Sequence, residues 1–250
     1  MDQRMNQHMD QHMDQIRLRI PGKCFLVGEY LALNGGPALV FTNKPMFEFR
    51  AALDHDQKKE KNPFHPLSPA GHFFLAHEST FSRYQLSWKD PYFDATFSKG
   101  GWGASSAQFL ALHFLFQLQD QLWIEGENIS DLHLMLDDYR FFGRPKDTEK
   151  GLPPSGADLM AQAKGGLCYF DRLDGKFQKF SWPFLDIGLA VIPTGKKIPT
   201  HEHLQELNSI QTESFEGSVK KVYEALRTVN SLTFVEGLSE FSEQLRQKAL

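Results

Sequence analysis

Near the start of the chain apolar and charged positions alternate. Ile16, Leu18 and Ile20 are interleaved with Arg17 and Arg19, the pattern of a strand with one buried face. Pro21-Gly22 interrupts this run, and residues 24–27, Cys-Phe-Leu-Val, predict a second strand. Asn34-Gly35-Gly36-Pro37 predicts a turn, flanked by further strands at 38–41 and 47–51. Residues 54–72 are polar and rich in Lys, His and Pro, which predicts a surface loop. Phe93, Ala95 and Phe97 alternate with Asp94 and Thr96, a strand leading into Lys99-Gly100-Gly101-Trp102-Gly103-Ala104-Ser105-Ser106-Ala107. From Ser105 to about Gln121 the chain is apolar nearly all round, which predicts a central helix. A second helix is predicted over 129–142, with Ser130 near its start. Residues 151–155 form a Pro-containing turn. Residues 157–164 then predict a short helix closed by Gly165-Gly166, since glycine is preferred just past a helix end. Residues 167–171, 177–182 and 187–192 predict three antiparallel strands. The tail predicts two amphipathic helices, the later one carrying Leu232, Val235, Leu238, Phe241 and Leu245.

The first fifteen residues stand apart. They repeat with period four, placing Met1, Met5, Met9 and Met13 at helical spacing. The segment reads as a polar low-complexity appendage, or as translation from an upstream start with Met13 as the working one. A Met/His metal site is the alternative. The expected organisation is this appendage at 1–15, an N-terminal domain at 16–170 and a C-terminal domain at 171–250.

Composition narrows the class. At 250 residues the chain can bury a real core. A net charge of −4 argues against a dedicated nucleic-acid binder. No apolar run approaches the roughly 20 residues of a membrane span. The two cysteines, Cys24 and Cys168, form no metal spacing, which points to a reduced cytoplasmic setting. The 22 phenylalanines predict a tightly filled aromatic core.

Three segments carry candidate chemistry. In the glycine loop, Gly100, Gly101 and Gly103 allow close backbone approach, and Ala104, Ser105 and Ser106 open a helix whose first N–H groups attract an anion. A tight strand-to-helix turn capped by Ser105 is the structural alternative. A hydroxyl in the first helical turn, such as that of Ser105 or Ser106, can also ligate Mg2+ beside bound phosphates. Lys23 lies between a Pro-Gly break and an apolar strand, so its ammonium must face a cleft or pair with an acid such as Glu29. Asp158 lies in the first turn of a predicted helix. It is either a dipole-favoured carboxylate or a base for a hydroxyl nucleophile. Asp147 and Glu149 lie across the Gly/Pro turn, either as Mg2+ ligands or as solvated charges.

Taken in order, these segments resemble the GHMP kinases, the family that includes galactokinase, homoserine kinase and mevalonate kinase. IPGKCFLVGEY resembles the first family motif, GGWGASSA the second, and PPSGADLMAQAKGG the segment of the catalytic aspartate. The resemblance covers about residues 16–200. It implies an α+β, two-part GHMP kinase fold, with a ribosomal-S5-like N-terminal domain and an incomplete ferredoxin-like C-terminal domain. It implies ATP and Mg2+ as cofactors, Asp158 as the catalytic aspartate and Lys23 as the active-site lysine. Gly100, Gly101, Gly103, Ala104, Ser105 and Ser106 would bind the nucleotide phosphates. Ser105 with Asp147, or with Glu149 in its place, would bind the metal. Gly28-Glu29-Tyr30 followed by Gly36-Pro37-Ala38-Leu39, and the stretch Thr194 to Thr200, resemble the phosphomevalonate kinase branch. The implied substrate is an anionic small molecule, phosphomevalonate or mevalonate. Lys196, Lys197, Arg140 or Lys146 would suit such an anion, or serve as solvated surface charges. His201 and His203 read as surface residues.

The chain also departs from the family pattern. Trp102 replaces a leucine and Ala104 a serine, so a bulky ring beside the phosphates would reshape the nucleotide pocket. The third family motif, a second glycine-rich loop, is missing: after Gly195 only the isolated Gly217 and Gly237 occur. This predicts a C-terminally short domain: the product is truncated, the remainder is a separate chain, or the lineage has lost that part. The expected partner is a second copy in a homodimer or a separately encoded C-terminal part. The missing motif also keeps two other readings open: a degenerate, non-catalytic metabolite-binding or interaction protein, and a mevalonate diphosphate decarboxylase, whose loop Ala104-Ser105-Ser106-Ala107 faintly resembles.

Overall fold

The computed structural model describes residues 15–54, 62–92, 101–119, 129–145, 152–192 and 215–248. Its centre is a five-stranded antiparallel sheet. Strand β1 (Gln15–Val27) pairs along the whole of β2 (Ala38–Leu53). The other edge of β2 is shared. β3 (Tyr84–Lys89) pairs with its second half, and β4 (Leu167–Asp171) pairs with residues 38–41. β5 (Lys176–Phe180) lies outside β4.

The sequence predicts one strand on each side of Pro21-Gly22, and two more in 38–51. The structure fuses each pair into one. Among the described residues β1 pairs only with β2 and so forms an edge of the sheet, where a proline without an N–H is tolerated. The break is absorbed as a register shift: Pro21 lies opposite Met46, and Gly22 opposite Asn43. Side-chain parity switches there on both strands. Ile16, Leu18, Ile20, Phe47, Phe49 and Ala51 enter one core, whereas Phe25, Ala38 and Val40 enter another on the same side of the sheet.

That side carries most of the helices. α2 (Pro69–Ala76) and α3 (Glu78–Phe81) follow a turn in which the Ser68 hydroxyl accepts the Gly71 N–H, so residues 69–72 begin a helix where a loop was expected. α4 (Ala104–Gln119) is buried through Ala107, Phe109, Ala111, Leu112 and Leu115. It packs against α2, against α5 (Ile129–Phe142) and against α6 (Ala157–Lys164). Phe73 of α2 meets the rings of Phe81, Phe109, Phe116 and Phe142, which is the phenylalanine-rich core the composition predicts.

The opposite face is covered by α7 (Glu216–Thr228) and α8 (Ser231–Gln247), while the short α1 (Glu29–Leu33) forms part of the β1–β2 connection. Val219, Val222, Leu226, Phe234 and Phe241 bury Leu39, Leu167 and Tyr169. α7 and α8 approach closely at Gly237, where a Cβ would lie 2.7 Å from Val222 Cγ2. Gly217 and Gly237 thus sit inside helices.

The strand expected at 187–192 is absent from the described part of that segment. The apolar alternation is present, but among the described residues no strand pairs with it. Leu189, Val191 and Ile192 are exposed, and Trp182 Nε1 donates to the Ile187 carbonyl instead. The strand expected at 93–97 and the segment 1–14 lie outside the described residues.

Candidate functional site

Three segments distant in sequence meet at the N-terminal end of α4. The loop entering α4 docks on β1 through the Lys23 N–H, which donates to the Trp102 carbonyl (2.9 Å). It docks on α6 through Gln162, whose Nε2 donates to the carbonyls of Gly103 (3.1 Å) and Pro21 (2.8 Å). Lys23 and Asp158 are thereby carried to the loop by the elements that hold it.

Gly103 is the pivot. Its φ of +86° lies in the left-handed region that favours glycine. A Cβ there would stand 2.6 Å from Lys23 Cγ and 2.9 Å from Gln162 Nε2. Its carbonyl accepts three donors: Ala107 N–H (3.0 Å), Ser106 Oγ (3.1 Å) and Gln162 Nε2. In a planar trans peptide the C=O and the following N–H point in opposite directions. With the Trp102 and Gly103 carbonyls tied inward, the N–H groups of Gly103 and Ala104 face the open side. A left-handed residue followed by a helical one makes a concave nest of N–H groups suited to an anion. The first turn of α4 adds further N–H groups that lack intrahelical acceptors, together with the favourable end of its dipole. The backbone therefore fits a phosphate. Ser105, exposed at this rim, is open to a ligand, whereas Ser106 is buried.

Lys23 does not form the alternative ion pair with Glu29 among the described residues. Its stem lies over Gly103, and its Nζ sits 4.8 Å from the Phe25 ring centroid. Asp158 occupies the first turn of α6, after Gly156 at φ +83°, and its Oδ1 accepts the Leu159 N–H (2.9 Å). The turn before α6 is braced by Arg140, which donates to the Pro154 carbonyl (2.7 Å).

Two residues near the site are not among the predicted site residues. Tyr139 of α5 is buried. Burial first, then the Asp158 charge, holds its phenol well above the ordinary range, so it stays neutral. The Ser105 and Ser106 hydroxyls pull the other way. Nothing in the pattern of 129–142 marks Tyr139 as more than a core residue. The second is Glu29, whose carboxyl is raised by burial, opposed by its own backbone N–H and by the Lys23 charge. The sequence shows Glu29 only as a partner for Lys23.

Trp102 is held in place by its neighbours. Its ring stacks on Tyr92 at 4.9 Å and 13°, on the rim of the α4 core, and the Tyr92 hydroxyl donates to the Pro45 carbonyl. Gly100, Asp147 and Glu149 lie outside the described residues, as do Lys146, Lys196, Lys197, His201 and His203. Among the described residues no cluster of three or more His, Cys, Asp or Glu could hold a metal. No described helix is long and apolar enough to cross a membrane. Cys24 and Cys168 are free thiols, both raised by burial, Cys168 to about 11.

No family model and no curated protein matches the chain by sequence. Solved structures do match. The Streptococcus pneumoniae phosphomevalonate kinase, in complex with phosphomevalonate and AMPPNP, superposes with a TM-score of 0.64 at 16% identity, covering 93% of this chain and 80% of that one. The L. major mevalonate kinase in complex with R-mevalonate gives 0.59 at 18%, covering 94% and 76%. The Lactococcus lactis galactokinase complexed with galactose gives 0.53 at 13%, covering 90% and 73%. All three are GHMP kinases, and the chain has the GHMP kinase fold, a mixture of helices and antiparallel sheet as expected.

Proposed function

We propose that this chain is an ATP-dependent kinase of small anionic metabolites, with phosphomevalonate or mevalonate as the first substrates to test. The observation that carries the reading is the meeting, at one loop, of a phosphate-shaped backbone at Gly103, the β1 residue Lys23, and the helix that carries Asp158 in its first turn and docks on the loop through Gln162. The N–H groups of Gly103, Ala104 and Ser105 would hold nucleotide phosphates. Asp158 would orient the attacking hydroxyl and take its proton, while Lys23 offsets the charge that develops. Mg2+, held by Ser105 with Asp147 or Glu149, would neutralise phosphate charge. Catalysis of this kind is mostly positioning and electrostatics. The AMPPNP complex of a kinase with this fold supports nucleotide use. A cytoplasmic setting suits such a substrate.

Asp158→Asn is expected to lower kcat by at least about a hundredfold, the scale of a lost general base, with an unchanged unfolding midpoint. Wild-type turnover in that variant would remove Asp158 from the chemistry. Calorimetry with Mg·ATP separates this reading from a non-catalytic protein: no binding at millimolar nucleotide would sink it. Carbon dioxide release from a diphosphorylated mevalonate substrate would instead identify a decarboxylase.

A further inference from the structure

Gln162 lies one helical turn beyond Asp158, on the same face of α6. It is 3% exposed, an unusual place for a primary amide. Both of its amide hydrogens are used on main-chain carbonyls, one in β1 at Pro21 and one in the loop at Gly103. Its Oε1 is buried with no partner among the described residues. A buried acceptor without a partner destabilises the fold, so packing alone does not account for an amide here. A leucine would fill similar space without that cost. What leucine lacks is the two donors.

Those donors act on the two peptides that shape the anion nest. The bond to Gly103 adds a third donor to the carbonyl whose orientation turns the Ala104 N–H outward. The bond to Pro21 fixes β1 at its register shift, two residues before the Lys23 N–H that anchors Trp102. α6 thus positions the loop and Asp158 together. We infer that Gln162 is a positioning residue, setting the Gly103 peptide so that the loop amides present to a phosphate in fixed register with Asp158. The inference deepens the kinase reading and rests on it for the identity of the anion.

The test uses Gln162→Leu and Gln162→Glu in the full chain. Leucine removes both donors at every pH. Glutamate removes them when ionised and restores one when protonated. Calorimetry with Mg·AMPPNP is expected to show Gln162→Leu weaker by at least about tenfold throughout, the scale of two lost hydrogen bonds. Gln162→Glu should be as weak at pH 8 and recover toward wild type as the pH is lowered to 5, after correction for the same change in wild type. A purely structural role would give no such recovery. Amide hydrogen exchange in the absence of nucleotide gives an independent readout. The Lys23 and Ala107 N–H groups, both bonded to the loop, should exchange faster in Gln162→Leu. In Gln162→Glu they should be faster at pH 8 than at pH 5, relative to wild type. Exchange and affinity equal to wild type in both variants would overturn the inference, as would a glutamate variant that tracks leucine at every pH. If wild type binds no Mg·AMPPNP, the kinase reading falls, and exchange alone decides the role of Gln162.

Discussion

The two faces of the sheet are built by different means. The α7–α8 face is an apolar layer over Leu39, Leu167 and Tyr169, with ion pairs such as Lys221 to Glu236 and Glu240 on its outside. Among the described residues no unpartnered buried polar atom lies on α7 or α8. The α4–α6 side, by contrast, gathers conformational and polar costs around one loop. Gly28, Gly103 and Gly156 all adopt positive φ beside Glu29, Lys23 and Asp158, and Gln162 and Asn43 keep buried acceptors unsatisfied. Groups that cost stability persist where the surrounding fold over-determines them, and they concentrate at functional sites. One face stabilises the sheet; the other uses that stability to hold a loop in shape.

Substitutions can break that contrast. The largest stability effect should come from the apolar face. Phe234 is fully buried against Phe184 and Trp182, so Phe234→Ala should cost about 3–5 kcal/mol in chemical denaturation, with nucleotide affinity of the folded fraction unchanged. A parallel loss of affinity would show that the faces are coupled. Gly103→Ala should do the reverse. Left-handed strain and the clash with Lys23 should cost about 1–3 kcal/mol, with nucleotide binding weakened disproportionately. Retained affinity would remove the loop from the site.

The smallest effect is the most specific. Burial raises the Glu29 pKa from its ordinary value of 4.5, so over that window the native state binds more protons than the unfolded one. Stability from this group is present at low pH and falls as pH rises through the raised value. Glu29→Gln should remove that decline, so the variant gains on wild type from acid to neutral pH in urea midpoints. A difference independent of pH would place Glu29 in a more solvated setting than its burial implies.

Legibility in the sequence follows the same division. α5 and α6 are readable to their end residues, because the apolar spacing of 129–142 and the glycines flanking 157–164 act locally. The resemblance to GHMP kinases was likewise carried by short contiguous motifs. The failures are non-local. Whether Leu189 and Val191 gain a partner strand depends on residues elsewhere, and alternation alone cannot supply one. Pro21-Gly22 reads as a break until β1 is known to be an edge strand. The stack of Trp102 on Tyr92 joins residues ten positions apart that no local pattern pairs. Nothing in the sequence marks Gln162, because its acceptors at Pro21 and Gly103 are distant along the chain.

The Gln162 amide bridges partners 141 and 59 positions away. Bringing such distant segments together carries a loop-closure entropy that contacts nearby in sequence avoid. β1 and β2 are neighbours along the chain and can pair once about fifty residues exist, but the bond from Gln162 to Pro21 has to wait for α6. During synthesis, Lys23 and the glycine loop therefore leave the ribosome long before the element that sets their geometry. The anion nest acquires its shape well after its own residues are made, and ligand binding there would report on a nascent chain that has been made at least through residue 162.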